Sequence, residues 1–594
     1  MRFRVAGRLP LLLLVALLGV PAAPASGSVA AEAAGLADIL GQAWAANQLP
    51  DGTFTNPSQV ELAEGKGHFA PPMLMHGLLG AHARGGGSAL REAAERAWPK
   101  AVTPVRASAF DMLGAGMTYR QYGLDENLRE LVADYLRRYT ITTNGGRCIV
   151  SASCYQNLKL VDALAVLVMT GTGLRSDYPG ARLGDPALSR SQAALVVNEQ
   201  IPRVSDARLR ARLVDGSLRG SLLSDPRKGN PLAYHALSTY MLAEAVHELG
   251  PEASPAARRS LERTLDALTV LMSPDGDISY SGRGQGQVWV PALAAAAAAH
   301  GAVMYAEIDP ARAARHLAVA QRALARVRAV HLRPYGRLAV VPGERATTAG
   351  VDPYVHSVAY NGLALYGINR AAELLAPLGE RLPGLLPSDD RLTVTDREAS
   401  KLGISARAGT WLAVRAGAMR GGDMRYDFGL LSLKVRGHGI WSDLLAPRPL
   451  TLTPQLHMGP TLVRNGVPLR PEGHHVRVSA DGTIRARLRQ RTPSKRIMRR
   501  LRFYARPVSG GARFELQGAT RGDHYRLSFP VPAGSGSWNA RRIRANGAII
   551  RFEPLLAVRR RTGFHSGPVE NLDVIEASAL VRRNGSMSWT IGVR

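Results

Sequence analysis

The stretch "DGDISYSGRGQGQVW" (Asp275–Trp289) stands directly before "VPALAAAAAAH" (Val290–His300), which is typical of a strongly apolar helix. Globular helices usually begin at one capping residue such as Ser or Asp. This helix is instead approached through four glycines, one arginine and two glutamines. A Gly-rich approach lets backbone N–H groups and side chains come close to a ligand at the positively polarised start of a helix. The stretch therefore predicts one rim of a binding cleft, with a long surface loop as the alternative.

Other apolar helices begin in comparable polar or aromatic clusters. In chain order the clusters are "FAPPMLMH", "ASAFDML", "CYQNLKL", "NPLAYHALSTY", "GRGQGQVW" and "DPYVHSVAYN". Arg-rich amphipathic stretches such as "DENLRELVADYLRRY" separate them, and several of the apolar helices close on a glycine, the favoured C-terminal cap. This alternation predicts helical hairpins with inner and outer layers over residues 26–380. The irregular spacing favours an (α/α) toroid over a TPR or HEAT array.

Beyond residue 380 the helical spacing gives way to alternation of apolar and polar residues. "GLLSLKVRG" alternates in this way, and "VRVSADGTIRARLRQR" does so around an Asp481-Gly482 hairpin turn. Many short runs of this kind, broken by Gly, Pro and Asn, predict an antiparallel β-sandwich over residues 391–594. The Pro- and Gly-rich segment "APLGERLPGLLPSDD" predicts a linker at residues 381–390. The expected fold is a multidomain α and β protein, a toroid followed by a sandwich.

The start of the chain predicts export. Residues 1–25, "MRFRVAGRLPLLLLVALLGVPAAPA", combine early arginines, a short apolar run and a small-residue cleavage site, as a signal peptide does. No later segment has the uninterrupted apolar length of a membrane span, so we expect a secreted protein, extracellular or periplasmic, without stable membrane insertion. In such a compartment the close pair Cys148 and Cys154 predicts one small-loop disulfide rather than a metal site.

The charge of the chain is strongly basic, with 75 Lys and Arg against 47 Asp and Glu and a net charge of +28. A general preference for arginine is one interpretation, and attraction to a polyanion is the other. No nucleic-acid motif of the usual kinds is present, and an exported protein seldom meets DNA as its main partner. An acidic polysaccharide fits the charge and the export better than nucleic acid. The outward row Arg485, Arg487 and Arg489 predicts either a solvated face or a polyanion track.

A toroid followed by an antiparallel sandwich, in an exported basic protein, resembles the polysaccharide lyases of the chondroitin AC/hyaluronate and heparinase II/III-like types. In those lyases Asn, Gln, His or Arg neutralises the carboxylate of an acidic sugar. A Tyr or His then removes the proton at C5, and a Tyr protonates the leaving oxygen at C4. The chemistry needs this set, because the C5 proton is barely acidic until the carboxylate's charge is masked. The resemblance implies β-elimination on a uronic-acid-containing polymer, without a cofactor.

The predicted inner-helix starts supply residues of these types. "CYQNLKL" offers Gln156 and Asn157, which could hydrogen-bond a uronate carboxyl or simply cap a helix after the disulfide loop. "NPLAYHALSTYM" offers Tyr234 and His235 in a first turn opened by an Asn-Pro pair, and these are the preferred acid/base pair. A core Tyr and a core His are the alternative.

The Gly-rich stretch and the last cluster supply further candidates. We expect Arg283 to fork onto a carboxylate or sulfate, and Trp289 to stack on a sugar ring. The remaining candidates for substrate binding in the stretch are Tyr280, Gln285 and Gln287. "DPYVHSVAYNG" offers His356 and Tyr360 as a second acid/base pair on one helix face, with Asn361 beside them to bind substrate.

Two other functions remain open at this point. An (α/α)-toroid glycoside hydrolase would need two carboxylates across a cleft, and Asp275 and Asp277 form the conspicuous acidic pair at an inner-helix approach. A non-catalytic glycan-binding protein on a lyase scaffold would need only the charge. The expected function is a secreted polysaccharide lyase.

Overall fold

The computed structural model of the protein describes fifteen segments of the chain. They are residues 28–54, 70–101, 108–141, 148–151, 154–223, 232–282, 284–342, 357–397, 401–417, 428–448, 457–539, 541–553, 557–564, 572–581 and 585–593. The predicted signal peptide, residues 1–25, lies outside them. Among the described helices none is both long enough and apolar enough to cross a bilayer.

The helices of the first part alternate between an inner and an outer layer. The inner helices are α2 (Ala70–Ala83), α4 (Ala109–Gln121), α6 (Gln156–Thr170), α9 (Leu232–Leu249), α11 (Trp289–Tyr305) and α13 (Ser357–Leu375). The outer helices are α1 (Val29–Ala46), α3 (Ser88–Ala101), α5 (Glu126–Arg137), α7 (Pro186–Leu195), α10 (Pro255–Leu271) and α12 (Pro310–Arg326); a π turn connects α7 to the one-turn helix α8 (Ile201–Val204). Each inner helix packs against the next, and α13 packs back on α2. The predicted toroid is confirmed.

The composition of each helix explains its layer. Along α11, all residues are buried from Trp289 to Ala302, so this helix has no face for solvent. The outer helices α10 and α12 have one apolar stripe and one Arg-rich face, and Asp or Ser caps with Pro in the first turn start them sharply. Because an outer helix returns the chain after each inner one, the inner helices run in the same direction and start at one end of the ring.

The second part is built from antiparallel sheets, as predicted. The first sheet has seven strands in the order β2-β1-β5-β6-β7-β8-β9, the second five in the order β11-β10-β16-β21-β20, and the third eight in the order β12-β13-β14-β15-β22-β19-β18-β17. A small ladder joins β3 (Leu332–Arg333) to β4 (Arg337–Leu338). The strands are β1 (Ser205–Arg212), β2 (Ser217–Leu223), β5 (Leu392–Asp396), β6 (Leu402–Arg407), β7 (Thr410–Arg415), β8 (Gly429–Gly437), β9 (Ile440–Asp443), β10 (Thr461–Arg464), β11 (Val467–Pro468), β12 (Arg470–Val478), β13 (Ile484–Arg491), β14 (Ile497–Val508), β15 (Gly511–Gln517), β16 (His524–Pro532), β17 (Ser537–Trp538), β18 (Arg542–Ala545), β19 (Ala548–Glu553), β20 (Ala557–Phe564), β21 (Leu572–Leu580) and β22 (Ser586–Val593).

The seven-stranded sheet lies between the toroid and the rest of the sandwich. On its strand β7 every residue is buried, because the two faces pack against different cores. Trp411 and Ala413 belong to the core that the toroid helices build. Leu412 and Val414 belong to the core shared with the other two sheets. The strand is therefore apolar on both faces, and the two parts of the protein share one continuous sheet surface.

One element differs from the sequence-based prediction. The hairpin β1–β2 lies within residues 26–380, a range predicted to be helical, yet β1 pairs with β5 at the edge of the seven-stranded sheet. Its sequence alternates, and its loop contains Asp215-Gly216, with Gly216 at φ 150°. The signal used for the sandwich was thus present here as well. The hairpin ties the helical part of the chain to the sandwich before the linker is reached.

A buried ion cluster also joins the two parts. Lys434 on β8 donates to Asp275 at 2.9 Å and to Asp443 at 2.7 Å, and Arg326 on α12 lies 2.6 Å from the same Asp275 carboxylate. Burial opposes the charge on Lys434, yet Asp275 and Asp443 hold the pKa of its ammonium above its usual value. The predicted disulfide, Cys148–Cys154, is present and closes the loop before α6.

Removing the ammonium of this cluster should destabilise the whole protein. We expect Lys434→Met to lower the free energy of unfolding by about 3 kcal/mol, because Asp443 then loses its cation and the buried Asp275 keeps only Arg326. Lys495→Met, at an exposed turn of the sandwich, is the control and should change it by less than about 0.5 kcal/mol. Equal effects of both substitutions in denaturant unfolding would contradict this role.

Candidate active site

The candidate site lies where the inner helices begin. Asn157 is the second residue of α6 and is only 6% exposed. Its side-chain Oδ1 is buried and has no hydrogen-bond partner among the described residues. Tyr155, the residue before the helix, makes no side-chain capping bond. Since a buried amide oxygen without a partner costs free energy, this helix start carries an acceptor that no described residue satisfies. Gln156, beside it, is half-buried.

Three neighbouring inner helices bring an aromatic cluster to the same end of the ring. Tyr234 lies in the first turn of α9 and packs edge-on against Trp289 at the start of α11, with ring centroids 5.6 Å apart. Tyr360 on α13 lies 6.2 Å from the same indole. Gln287 fixes that indole, because its Oε1 accepts the Trp289 Nε1–H at 2.5 Å. Four of the residues predicted from sequence thus form one group.

The Gly-rich stretch serves as the joint between the two parts of the protein. Tyr280 donates its hydroxyl to the Leu271 carbonyl at 2.8 Å and packs edge-on against Trp411 of β7. Burial, with the nearby Asp277 charge, holds the pKa of Tyr280 well above its usual value. Its hydroxyl therefore satisfies the backbone and is poorly suited to act as a base.

Two more side chains of the stretch extend this joint. Gln285 donates to the Arg448 carbonyl at 3.2 Å. Ser281 accepts from the Arg415 guanidinium at 3.2 Å, and the Ser281 carbonyl in turn accepts the N–H of Leu232, the first residue of α9. The stretch therefore connects the sandwich strands to the starts of α9 and α11. Sequence reasoning missed Arg415, the last residue of β7, and Arg448, in the segment after β9, since a single buried arginine gives no periodic signal.

Gly284 explains part of the glycine content. Its φ is +83°, and a Cβ there would lie 2.9 Å from the Ala233 Cβ and 3.1 Å from the Trp289 ring. Any side chain at this position would push against the aromatic cluster and would also strain the backbone. The glycine is thus required for the close approach of the stretch to α9.

His235 lies on a different side of α9 from the aromatic cluster. It is fully buried, and its Nδ1 accepts the Leu223 N–H of β2 at 3.4 Å. Burial lowers its pKa to about 3, so the imidazole is neutral at ordinary pH. Tyr234 therefore faces the aromatic cluster, whereas the next residue, His235, packs against the β1–β2 hairpin.

The acidic pair of the hydrolase alternative is used within the fold. Asp275 binds Lys434 and Arg326 as described above, and these cations hold the pKa of its carboxyl below the usual range although burial opposes this. Asp277 accepts hydrogen bonds from the Ser279 backbone and hydroxyl. Neither carboxylate faces the other across an opening.

Of the three remaining candidates, Asn361 lies within the described residues. Asn361 is fully buried, and its Nδ2 donates to the Leu338 carbonyl at 3.1 Å, which ties α13 to β4. Arg283 and His356 lie outside the described residues. Within the described residues, no group of His, Cys, Asp and Glu side chains has the arrangement of a metal site.

The opposite ends of the inner helices are closed by a polar network that sequence reasoning did not find. Glu244 of α9 accepts from the Arg370 Nε at 3.0 Å and from the Tyr240 hydroxyl at 3.0 Å. Burial alone would raise the pKa of Glu244, but Arg370 and His300 hold it well below its usual range. Glu373 and Tyr122 continue the network through Arg370 and Asn369. These charges are neutralised by one another within the ring.

The fold is similar to that of two solved polysaccharide lyases. The chondroitin AC lyase of Streptomyces coelicolor A3, in complex with chondroitin sulphate, matches with a TM-score of 0.54 and 11% identity over 97% of this chain and 81% of that one. A xanthan lyase of Paenibacillus matches with a TM-score of 0.53 and 9% identity over 95% of this chain and 57% of that one. The sequence matches no protein-family model and no curated protein. At these identities the likeness shows a shared toroid-plus-sandwich fold.

Asp111 at the start of α4 supports a prediction about pH. Burial raises the pKa of its carboxyl to about 8, although hydrogen bonds from Ser108 favour the ionised form. Between about pH 4 and 8 the folded protein keeps a proton that the unfolded chain has lost, so this group makes the protein less stable as pH rises. We expect Asp111→Asn to flatten the pH dependence of urea unfolding in that window. An unchanged slope would show that Asp111 is ionised in the folded protein.

Proposed function

We propose that this protein is a secreted polysaccharide lyase that cleaves a uronic-acid-containing acidic polysaccharide by β-elimination. The observation that carries the proposal is the buried side chain of Asn157 at an inner-helix start, whose Oδ1 has no hydrogen-bond partner among the described residues. It belongs to the same ring of helix starts as the Tyr234–Trp289–Tyr360 cluster. An amide that can donate to a carboxylate and a tyrosine that can move a proton are the kinds of group that this elimination needs.

The chemistry requires a masked carboxylate and one group that moves a proton. The Nδ2–H of Asn157 would donate to the uronate carboxylate while its Oδ1 accepts from a sugar hydroxyl, and Arg283 is proposed to share the binding of the carboxylate. With the charge masked, a base removes the C5 proton, the C4–O bond breaks, and a C4=C5 double bond forms. The leaving oxygen takes a proton as the bond breaks. Positioned donors that bind the developing charge supply the largest share of such catalysis.

Tyr234 is the proposed base and acid. It lies in the first turn of α9 beside Trp289, whose indole Gln287 holds in place. Tyr360, whose ring lies 6.2 Å from the same indole, is the second candidate, and His356 would accompany it. Tyr280 is less suited, because its hydroxyl already donates to the Leu271 carbonyl. Trp289 would offer its ring to a sugar face.

The other two functions have less support. A hydrolase needs a carboxylic acid and a carboxylate across the cleft, and Asp275 is held ionised by Lys434 and Arg326. A binding protein without catalysis would explain the basic charge, but it would not need tyrosines gathered around Trp289 at the helix starts. The small-loop disulfide agrees with the proposed export.

A polymer screen tests the reaction class. We expect one of alginate, hyaluronate, chondroitin, heparin or glucuronan to yield products that absorb in the ultraviolet, because elimination creates a C4=C5 double bond next to a carboxylate. New reducing ends without that absorbance would indicate a hydrolase. Binding of the polymers without either product would indicate a non-catalytic protein.

Tyr234→Phe should remove the proton transfer and keep the ring. We expect turnover to fall by about 10²–10⁴-fold, the usual contribution of a positioned acid or base, with polymer binding preserved. Tyr280→Phe is the matched control: it loses one hydrogen bond, about 1 kcal/mol of stability, and should retain turnover. An inactive Tyr360→Phe beside an active Tyr234→Phe would transfer the role to α13.

Asn157→Ala should remove the charge-masking group. We expect a loss of about 2–4 kcal/mol in transition-state stabilisation, measured from kcat/KM, with little change in melting temperature. Asn369→Ala is the control, because Asn369 hydrogen-bonds Glu373 and Tyr122 at the other end of the ring. It should lower stability and leave turnover intact. The reverse pattern would show that Asn157 only packs.

A further inference from the structure

The outer face of the eight-stranded sheet carries eight arginines on four neighbouring strands. We define the arginine face as Arg477 on β12, Arg485, Arg487 and Arg489 on β13, Arg500, Arg502 and Arg506 on β14, and Arg513 on β15. Along β13 the side chains alternate between the buried Ile484, Ala486 and Leu488 and these outward arginines. The alternation fixes the arginines on the surface.

Charge is concentrated in this part of the chain. Residues 470–517 contain thirteen Lys and Arg against three Asp and Glu, a net charge of +10 in a chain whose total is +28. About a third of the net charge therefore lies in less than a tenth of the sequence. A general preference for arginine would spread the charge evenly, so it does not account for this segment.

The arginines also oppose one another directly across the strands. The pairs are Arg477 with Arg485, Arg487 with Arg502, Arg489 with Arg500, and Arg506 with Arg513. Like charges in directly opposite positions destabilise a sheet. In the described part of the chain none of the eight forms an ion pair, whereas nearby Arg491 and Arg499 pair with Glu472 and Asp523. The face is therefore strongly positive, although Glu472 lies opposite Arg489 and Glu515 opposite Tyr504 on the same side of the sheet.

The face is distant from the candidate active site. The inward residues of the eight-stranded sheet pack on the seven-stranded sheet, as Ile484 and Val476 do at Gly403, and the toroid contacts the other side of that sheet. Packed sheets lie about 10 Å apart. The arginines project from the outer side of the eight-stranded sheet, away from the seven-stranded sheet. A polysaccharide bound only at the helix starts would therefore not contact them.

We infer that the arginine face is a second binding surface of this protein, for an extended acidic polysaccharide. The inference deepens the proposed function, on which the choice of a polysaccharide rests. The face is a flat strip of positive charge, with arginines about 7 Å apart along each strand. Guanidinium groups fork onto carboxylates and sulfates, and a strip of them matches a polymer that repeats such groups.

The geometry favours a polysaccharide over the other polyanions. Single-stranded nucleic acid is usually held by exposed aromatic side chains on which bases stack. The aromatic residue among these arginines is Tyr504, and Arg485 lies over its ring, 5.9 Å from the centroid. A membrane surface would need several apolar side chains projecting beside the charge, whereas Val508, at the end of β14, adds one small apolar side chain.

Direct binding by the full chain tests this inference. The test variant carries Arg487→Gln, Arg489→Gln, Arg500→Gln and Arg502→Gln. The matched control carries Arg210→Gln, Arg219→Gln, Arg259→Gln and Arg263→Gln, four exposed arginines on β1, β2 and α10. Heparin and chondroitin sulfate are the probes, with polyuridylate and phosphatidylserine vesicles as competing polyanions. We expect the test variant to bind both polysaccharides at least about ten-fold more weakly and with a shallower salt dependence, and the control to change little.

Other results would overturn the inference. Equal weakening by both variants would show that only total charge matters. A larger loss for polyuridylate or vesicles than for the polysaccharides would assign the face to nucleic acid or to a membrane. The melting temperature of the test variant should be equal or higher, because repulsion is removed. Should that variant fail to fold, phenylglyoxal footprinting of the unchanged protein decides: heparin must protect Arg487 and Arg502, and absent protection refutes the surface.

This test is independent of the reaction, because binding is measured and turnover is not. If the test variant loses polysaccharide binding and no polymer yields unsaturated product, the arginine face is a binding surface and the lyase proposal is wrong. If unsaturated product forms and the four substitutions leave polysaccharide binding unchanged, the lyase proposal stands and the proposed role of the arginine face is wrong.

Discussion

The buried ammonium of Lys434 is the interaction on which the arrangement of the two parts depends. It binds Asp275, the first residue of the Gly-rich stretch, and Asp443 at the end of β9, while Arg326 closes the cluster from α12. A buried ion cluster contributes little net stability compared with apolar packing, but breaking it is costly. The cluster therefore fixes how the toroid and the sandwich are aligned, because only one alignment brings the two cations and the two carboxylates together.

That alignment sets the geometry of the candidate site. From Asp275 the stretch runs along the sandwich, where Ser281 and Gln285 bind Arg415 and the Arg448 backbone. The stretch then ends at Trp289, which packs against Tyr234. The helix starts of α9 and α11 are thus positioned by contacts to the second part of the protein. The polar network around Glu244 and Arg370 holds the other ends of the same helices, so the ring is fixed at both ends.

Periodicity alone was enough to predict the architecture, because helix and strand spacing record which faces are buried. It also brought Tyr234, Gln287, Trp289 and Tyr360 into one group, since helix starts on one ring share an end. The roles of the individual polar side chains remain predictions, and several of these side chains have partners within the fold. Tyr280 and Gln285 bind the protein's backbone, and His235 packs on a hairpin. A polar residue near a helix start has the same sequence signature whether its partner is a ligand or a distant strand.

Cleavage in water labelled with heavy oxygen tests the central claim most directly, because elimination and hydrolysis differ in whether water enters the product. The account predicts that mass spectrometry of the fragments from the susceptible polymer will show no heavy oxygen. Each new non-reducing end should then be lighter, by one water, than the same end formed by hydrolysis. Heavy oxygen at every new reducing end would contradict elimination and assign the helix starts to a hydrolase.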